Sequence, residues 1–329
     1  MSAMSNISRR RFAGATLGGA AAVTGLFPAR SWAQAFPARQ VHYVSPYPPG
    51  GTNDLVARIV SRKLAASFSQ PVVVDNRGGA GGTIGTQFVV QSAADGYTVL
   101  NASSGNLSSA PQVLGAPYDP LADLVPVGFL GHTRFVFAVH PSVPVNTMAE
   151  LIAYAKKNPR KINYGTAGNG TGGHIAGEYL RLRTGIDIVH VPYRGSAPAL
   201  NDAVAGHVQL VLDPLAAQHV RAGKLRALAY SGATASPDLP GVPSIEAAGV
   251  PGWEATNFFL AAVPAKTPAG VVEQLHQRFV ELARDAETVA ELKALGVEIQ
   301  PLSMPQISAL LKAEIDVNNR VIQAAGITA

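Results

Sequence analysis

The sequence predicts an α/β protein with two lobes. Short runs rich in β-branched residues alternate with longer segments whose apolar residues recur at helical spacing, which is the pattern of parallel βαβ units. This series starts twice, and each time its first strand leads into a glycine-rich turn. With 329 residues, of which 47% are hydrophobic, the chain is long and apolar enough for two packed cores.

The first series begins after residue 40. Its strands are predicted at 41–45, 72–75 and 97–100, where β-branched residues cluster. Apolar residues from Leu55 to Leu64 repeat on one helical face, and a second helix is predicted over 83–93. Together these elements complete a βαβαβ unit.

The second series follows a helix that begins at Thr147 and Glu150, a capping box. Its elements are predicted from the same two periodicities. They are strands at 162–164, 186–191, 208–212 and 225–230, and helices near 172–184, 197–205 and 214–222.

The C-terminal part is predicted to be mostly helical. Thr267–Pro268 supplies an N-cap and a first-turn proline, and Ser303 with Gln306 forms another capping box. No Gly/Ser-rich or Pro-rich linker separates the lobes, so strands at 135–140 and 253–262 are predicted to pass through both. The predicted lobes are 36–138 plus 257–329 for the first and 139–256 for the second.

The first 35 residues have the three parts of a cleavable export signal. Arg9 to Arg11 form a basic region, residues 12–27 a mildly apolar run, and Ala33 to Ala35 a small-x-small cleavage site. Ser8 to Phe12 resembles the twin-arginine export motif, although a general export route or a basic tail on a cytosolic protein also fits the sequence. The leader holds four of the 26 basic residues and no acidic residue, so the remainder is nearly neutral, with 22 basic against 21 acidic residues.

Composition excludes several kinds of site. The chain has no cysteine, which rules out disulfides, thiolate-bound metals and cysteine nucleophiles. Its eight histidines lack metal-binding spacing such as H-E-x-x-H, so no metal site is expected. Once the leader is set aside, no basic excess remains for binding nucleic acid.

Two glycine-rich loops are the most informative motifs. Residues 47–54 (YPPGGTND) and 165–174 (GTAGNGTGGH) each follow a predicted strand and open a predicted helix. Glycine lets the backbone approach a ligand, and the free N–H groups of a first helical turn bind anions. Because ligands of α/β proteins lie outside the carboxyl ends of strands, the loops predict one anion site in a cleft between the lobes. A single such loop would indicate only a connection between strand and helix.

The second loop allows another interpretation. Gly168, Gly170 and Gly173 match the dinucleotide fingerprint G-x-G-x-x-G, which would make the protein a nucleotide-dependent oxidoreductase. The acidic residue that this fold needs would be Asp187, but Asp187 stands at the start of its predicted strand instead of the end.

Several side chains near the loops have two possible roles. His174 can donate to an anion or serve as a cap, whereas Asp54 and Asp213 are expected to accept hydrogen bonds from backbone N–H and hydroxyl groups. Arg77 and Arg194 can pair with a carboxylate ligand or hold a surface loop in place.

In the order and spacing of its motifs the chain resembles the Bug, or TctC-like, family of periplasmic solute receptors, which serve tripartite tricarboxylate transporters. The motifs are PGGTND at 49–54 with Arg58, NR at 76–77 followed by GAGG at 79–82, DGYT at 95–98, the second glycine loop, VPYRG at 191–195, Asp213, and Pro264 with Thr267–Pro268. The resemblance implies a two-lobed Venus flytrap fold with crossover strands. It also implies a small carboxylate ligand held between two loop pincers by backbone and hydroxyl hydrogen bonds, often through water.

Carried over by position, the resemblance implies a set of ligand-binding residues. They are Tyr47, Gly51, Thr52, Asn53 and Asp54 in the first pincer, Thr166, Ala167, Asn169, Thr171 and His174 in the second, and Ser103, Ser104, Asp213 and Phe258 elsewhere. Gly78 stands where the family usually has proline, a change that would loosen the loop. Thr171 and Phe258 stand where the family usually has serine and tryptophan, in the pocket that the resemblance implies, so the identity of the ligand stays open.

These observations predict an exported periplasmic receptor that binds a small organic carboxylate and delivers it to membrane transporter subunits. We expect no catalysis, no cofactor, no metal and no nucleic-acid partner, and we expect a monomer. A carboxylate sensor that signals to a partner protein is the alternative to a transport role.

Overall fold

The strands of the protein form two sheets, which follow the two predicted series along the chain. The computed structural model describes residues 36–232 and 239–328, so the predicted export leader lies outside the described residues. In chain order the elements are β1 (Val41–Ser45), α1 (Thr52–Phe68), β2 (Val72–Asn76), a 3₁₀ turn (Ala80–Gly82), α2 (Thr83–Val90), β3 (Thr98–Ser103), a π-helical turn (Gly105–Ser109), α3 (Ala110–Leu114), β4 (Leu124–Thr133), β5 (Val136–Val139), α4 (Met148–Lys157), β6 (Asn163–Thr166), α5 (Gly172–Thr184), β7 (Val189–Pro192), α6 (Ser196–Ala205), β8 (Leu210–Asp213), α7 (Ala216–Arg221), β9 (Arg226–Tyr230), β10 (Asn257–Pro264), α8 (Ala269–Leu282), α9 (Ala286–Ala294), β11 (Val297–Glu298) and α10 (Met304–Ala325).

The first sheet has six strands in the order β11-β4-β10-β3-β1-β2. β1 pairs in parallel with β2 on one side and with β3 on the other, as the predicted βαβαβ unit requires. β10 is antiparallel to both β3 and β4. Because β1 has a parallel neighbour on each side, the chain connections on its two sides run in opposite directions away from it. Such a position is called a topological switch point, and it leaves a crevice outside the carboxyl end of the strand.

The second sheet repeats this arrangement with five strands in the order β7-β6-β8-β5-β9. β6 lies between two parallel neighbours, β7 and β8, and β5 is antiparallel to β8 and β9. Each glycine-rich loop therefore follows the strand at a switch point, which is β1 in the first sheet and β6 in the second. The topology places both loops where ligands of α/β proteins bind.

Apolar side chains cover both faces of each sheet. Val41 of β1 belongs to one buried cluster and Val44 to another, and Leu210 and Val211 of β8 divide in the same way. This alternation is expected because successive side chains of a strand point to opposite faces. Each sheet is thus buried on two sides, and its loops form the exposed edge.

The chain passes from the first sheet to the second through a two-residue step. Thr133 of β4 pairs with Asn257, whereas the Phe135 N–H donates to the Ser231 hydroxyl and the Ser231 N–H donates to the Phe135 carbonyl. The sequence predicts strands that pass through both lobes, but in the described residues β5 pairs only within the second sheet and β10 only within the first. The change of hydrogen-bond partner at Arg134–Phe135 ends one ladder and begins the next.

β4 is the longest strand that the sequence pattern does not predict. It contains Pro126, Gly128 and Gly131, residues that usually interrupt strands. On one side of β4, β11 pairs with His132 and Thr133 and does not reach Pro126. That edge of β4 is therefore unpaired at Pro126, and proline is tolerated at an unpaired strand edge.

The helix starts that the sequence marks are present, with differences in detail at α4 and α8. At α8 the N-cap position is occupied by Pro268 instead of Thr267, whose hydroxyl donates to the Pro264 carbonyl at 2.7 Å. The capping box of Ser303 and Gln306 forms as predicted at the start of α10. At α4 the Thr147 hydroxyl accepts the Glu150 N–H at 3.1 Å, but the Glu150 carboxylate accepts the N–H of Asn146 instead of that of Thr147. None of the helices in the described ranges combines the length and apolar character needed to cross a membrane.

Gly128 of β4 lies directly under α8, and its replacement tests this packing. A Cβ atom at Gly128 would lie 2.2 Å from Cγ of Phe279, a side chain that is itself buried. We expect Gly128→Ala to lower the free energy of unfolding by about 1–3 kcal/mol, because the overpacked ring cannot move without displacing its neighbours. Denaturant unfolding measures this change. The control is Gly270→Ala, where no atom lies within 4 Å of the added Cβ; equal stability of the two variants would contradict the expectation.

Candidate functional site

The two glycine-rich loops enclose a cavity of about 60 Å³, which we call the inner cavity. The π-helical turn after β3 also closes on the second loop, since the Ser109 hydroxyl donates to the Gly170 carbonyl at 2.6 Å. Many of the residues that the sequence proposes lie together in its wall. They are Tyr47, Gly51, Thr52, Asn53, Ser103, Ala167, Thr171 and Asp213.

Two helices begin at the inner cavity. α1 starts after Gly51 and α5 after Thr171, and in neither helix does a side chain cap the first turn. The N–H groups of these turns are therefore left for a ligand, and both helix dipoles present their positive ends to it. In the described part of the chain no lysine, arginine or histidine lines this cavity. The positive potential for an anion comes from the backbone.

The Asn53 side chain holds the start of α1 in place. Its oxygen accepts the Ser45 hydroxyl at 2.8 Å, and its amide donates to the Asn101 carbonyl at 2.9 Å. The Asn101 amide donates back to the Asn53 carbonyl, also at 2.9 Å. Because this reciprocal pair is buried and ties α1 to β3, Asn53 contributes to the cavity through its backbone.

Tyr47 supplies a neutral hydroxyl to the wall. Its oxygen lies 3.0 Å from the Ser103 hydroxyl and 3.1 Å from the Gly81 carbonyl. Burial raises the pKa of Tyr47 to about 12, although the Ser103 hydroxyl opposes that rise. The phenol therefore keeps its proton at neutral pH and donates it to the Gly81 carbonyl.

Asp213 is the one carboxyl group in the wall among the described residues. Burial raises its pKa, and the Ser196 hydroxyl, the Leu215 N–H at 2.9 Å and the Thr52 hydroxyl oppose the rise. The Thr52 hydroxyl lies near enough to Asp213 to affect its pKa, yet it makes no hydrogen bond of normal geometry in the described chain. A buried donor without a partner at a cavity is available to a ligand.

Asp54 lies behind the first loop and not in the cavity wall. Its carboxylate accepts the Gly50 N–H at 2.9 Å, the Asn76 amide at 2.8 Å and the Arg58 guanidinium at 3.0 Å. Burial alone would raise the pKa of Asp54, but these three hydrogen bonds lower it below its usual value. The aspartate is thus an acceptor that shapes the loop, as the sequence predicts.

Thr166 and His174 support the second loop from beneath. His174 Nδ1 accepts the Gly170 N–H at 3.1 Å, and its ring stacks on that of His190 with centroids 4.1 Å apart. The Thr166 hydroxyl lies 2.6 Å from His190 Nε2. Burial lowers the pKa of His174, and burial together with His174 lowers the pKa of His190 to about 3. Both rings are neutral at neutral pH, and they position the loop without lining the inner cavity.

The structure corrects the choice of Phe258. This side chain is fully buried on the far face of β10, with its ring 6.2 Å from that of Phe129 and 6.4 Å from that of His132. Its neighbour Phe259 lines the inner cavity instead. Consecutive strand residues face opposite sides, and the uniformly apolar run of β10 gives no pattern that tells one face from the other.

The structure also adds side chains that the sequence does not single out. Ser196 begins α6 directly after the VPYRG motif, and Asn257 begins the apolar strand β10. A polar residue at the start of an element is therefore the sequence signal that could have identified these two wall residues. The Ser104 hydroxyl donates to Asn257 Oδ1 at 2.8 Å and thus acts behind the wall. The added side chains in the wall are Pro48, Phe135, Ser196, Leu212, Pro214, Asn257 and Phe259.

A larger cavity of about 560 Å³ adjoins the inner cavity, and we call it the outer cavity. The two share Tyr47, Pro48 and Ala167. Residues 78–82, of which all but Ala80 are glycines, complete the outer wall together with Leu114, Gly168 and residues 192–195. Asn169 lines this outer cavity and not the inner one.

The position of Asp187 argues against the dinucleotide interpretation. β6 and β7 are parallel, and Asp187 precedes β7. It therefore lies at the edge of the sheet opposite the loop that contains Gly168, whereas a dinucleotide fold needs the acidic residue near that loop. In the described residues no cluster of three or more histidine, aspartate or glutamate side chains is arranged to hold a metal.

Comparison with known proteins agrees with this geometry. The profile described as "Tripartite tricarboxylate transporter family receptor" matches residues 56–327. Protein BugT of Bordetella pertussis is 37% identical over 272 residues, which cover 80% of this chain and 82% of BugT.

Two solved structures share the fold over nearly their whole length. R. palustris Rpa4515 with adipate has a TM-score of 0.86 and 34% identity, covering 89% of this chain and 99% of its own. MatC (Rpa3494) from Rhodopseudomonas palustris with bound malate has a TM-score of 0.83 and 27% identity, covering 87% of this chain and 100% of its own. The chain therefore has the periplasmic-binding-protein fold and belongs to the tripartite tricarboxylate transporter receptor family, which confirms the resemblance to Bug and TctC-like proteins seen in its motifs.

Proposed function

We propose that the protein is a periplasmic receptor that binds a small organic carboxylate at the inner cavity and does not convert it chemically. The observation that carries this proposal is the pair of uncapped helix starts, those of α1 and α5, at one cavity. Within the described ranges, no cationic side chain lines that cavity. Backbone N–H groups at a helix start recognise an anion by geometry as well as by charge. The adipate and malate complexes of two family members support the same class of ligand.

The biological setting is part of the same proposal. Residues 1–35 direct export and are removed, and the mature receptor delivers its ligand to the membrane subunits of a tripartite tricarboxylate transporter. The lobes 36–138 plus 257–329 and 139–256 close on the ligand about the step between β4 and β5. The family profile supports the transport role, and the existence of two separate sheets supports a hinge between lobes.

Ligand titration tests the proposed function. The mature protein is titrated calorimetrically with adipate, malate, benzoate and NAD, and thermal unfolding is recorded with each compound. A carboxylate present at about 100 times its dissociation constant is expected to raise the free energy of unfolding by about 2.7 kcal/mol. Stabilisation by NAD without a response to any carboxylate would overturn the proposal in favour of the oxidoreductase interpretation.

A genetic experiment separates transport from sensing. A strain that lacks this gene is expected to lose uptake of the carboxylate identified by titration, and the restored gene is expected to recover it. Undiminished uptake together with a lost transcriptional response to that carboxylate would instead indicate a sensor.

A further inference from the structure

The inner cavity is smaller than most small-molecule sites. Its volume of about 60 Å³ accommodates a carboxylate group or a few water molecules, whereas small-molecule sites usually measure about 300–1,000 Å³. The outer cavity, at about 560 Å³, lies in that range and shares Tyr47, Pro48 and Ala167 with the inner one. A ligand whose carboxylate lies at the two helix starts would extend past these shared residues into the outer cavity.

Arg194 is the only charged residue in the outer wall among the described residues. Its guanidinium makes no hydrogen bond or ion pair within the described part of the chain. Arg77, on the nearby loop after β2, differs in this respect because it donates to Asp75 at 2.7 Å and lies over the Phe88 ring. An arginine without a protein partner at a ligand cavity is free to pair with an anionic group of the ligand.

The backbone around Arg194 is fixed relative to the second glycine loop. The Tyr193 N–H donates to the Thr166 carbonyl at 3.0 Å, and the Gly195 N–H donates to the Ala167 carbonyl at 3.1 Å. The residues on both sides of Arg194 are therefore bonded to the loop that starts α5. The position of the guanidinium stem is set by the same loop that supplies N–H groups to the inner cavity.

Among the described residues, the rest of the outer wall is uncharged. It combines glycine backbone, proline rings and the Leu114 side chain with the rings of Tyr47 and Tyr193 and the amide of Asn169. Such a wall suits a carbon chain or ring better than a second ionised group, and Arg194 provides the one exception. The arrangement places an uncharged stretch between two anion-binding positions.

We propose that the outer cavity selects an elongated ligand with a second carboxylate, which pairs with Arg194. This inference rests on the proposed function, because the first carboxylate has to lie at the helix starts of the inner cavity. Arg194 then acts as a specificity residue that distinguishes a dicarboxylate from a monocarboxylate of the same skeleton.

Matched pairs of acids test this inference. Calorimetry compares adipate with hexanoate, and terephthalate with benzoate, on the parent protein and on Arg194→Gln, Arg194→Lys and Arg284→Gln. Arg284 is exposed just after α8, so its replacement changes the net charge equally without touching either cavity. We expect the parent to prefer the dicarboxylate of a bound pair by a factor on the order of three to ten, as for a partly exposed ion pair.

The preference of each variant for the dicarboxylate is expected to depend on whether residue 194 carries a positive charge. Arg194→Gln should bring the ratio of dicarboxylate to monocarboxylate affinity close to one, whereas Arg194→Lys and Arg284→Gln should keep most of it. Because Arg194 is exposed, thermal unfolding of all variants should match the parent. Raising the salt concentration should weaken the dicarboxylate more than the monocarboxylate.

Three results would overturn the inference while leaving the proposed function intact. They are a parent protein that binds both acids of a pair equally, an unchanged preference in Arg194→Gln, and an equal loss of both acids in that variant. Failure of every acid to bind the parent protein would overturn the proposed function, and this inference with it.

Discussion

Replacing Glu314 by glutamine should remove the loss of stability that this carboxyl contributes as pH rises from about 5 to about 7. Glu314 lies on α10 with only 5% of its surface exposed. The Thr256 hydroxyl donates to its Oε2, and the Asn318 amide donates to its Oε1 at 3.1 Å. Burial raises the pKa of this carboxyl to about 7, and the two neutral hydrogen-bond donors only partly oppose the rise.

The direction of the pH effect follows from proton binding. The Glu314 carboxyl has a reference pKa of 4.5, which represents the unfolded chain, and a pKa of about 7 in the folded protein. Between these values the folded state holds a proton that the unfolded state has lost, so the free energy of unfolding falls as pH rises. The fall amounts to roughly 3 kcal/mol and ends once both states are ionised.

Denaturant unfolding at several pH values from about 5 to 8 measures this effect. The glutamine variant should gain roughly 3 kcal/mol relative to the parent across the window, because its neutral amide imitates the protonated acid. Burial lowers the pKa of His132, His174, His190 and His219, which makes stability fall at acid pH, but these residues are common to both proteins and cancel in the difference. Glu273→Gln, an exposed site on α8, is the control. A difference between variant and parent that does not change with pH would contradict the prediction.

Replacing Ala167 by tryptophan should strongly weaken binding of the carboxylate while leaving the fold intact. Ala167 lies in the second glycine loop and lines both the inner and the outer cavity. A large ring at this position fills the passage between the two cavities and keeps a ligand from the helix starts. We expect affinity to fall at least about 100-fold, which corresponds to about 2.7 kcal/mol of binding free energy.

Calorimetry with the carboxylate that binds the parent most tightly measures the loss. Ala167 is partly exposed, so thermal unfolding of the ligand-free variant should stay close to that of the parent. Ala265→Trp, in the exposed turn between β10 and α8, adds the same ring away from both cavities and should retain full affinity. Retained affinity in Ala167→Trp would argue against the passage between the cavities as the ligand site.

Local patterns in the sequence were sufficient for most elements and for the position of both loops. The predicted strand at 41–45 and the predicted helix over 172–184 match the bounds of β1 and α5, because their periodicity and flanking glycines are local properties. The sequence pattern does not predict β4, because the strand contains Pro126, Gly128 and Gly131. A strand tolerates such residues where a neighbouring strand leaves part of its edge unpaired, and here that neighbour is β11, which is distant in the sequence.

For the candidate site the sequence determined the chemistry, and the tertiary structure decided which atoms present it. Two glycine loops at helix starts, in a chain that is nearly neutral beyond its predicted leader, already predict an anion site built from backbone N–H groups. The choice of Phe259 over Phe258, the recruitment of Asn257 and the place of His174 beneath the loop depended on strand pairing and packing between distant segments. Local periodicity contains no information on such pairings, because the face of a fully apolar strand and the partner of a buried side chain are set only when the sheets assemble.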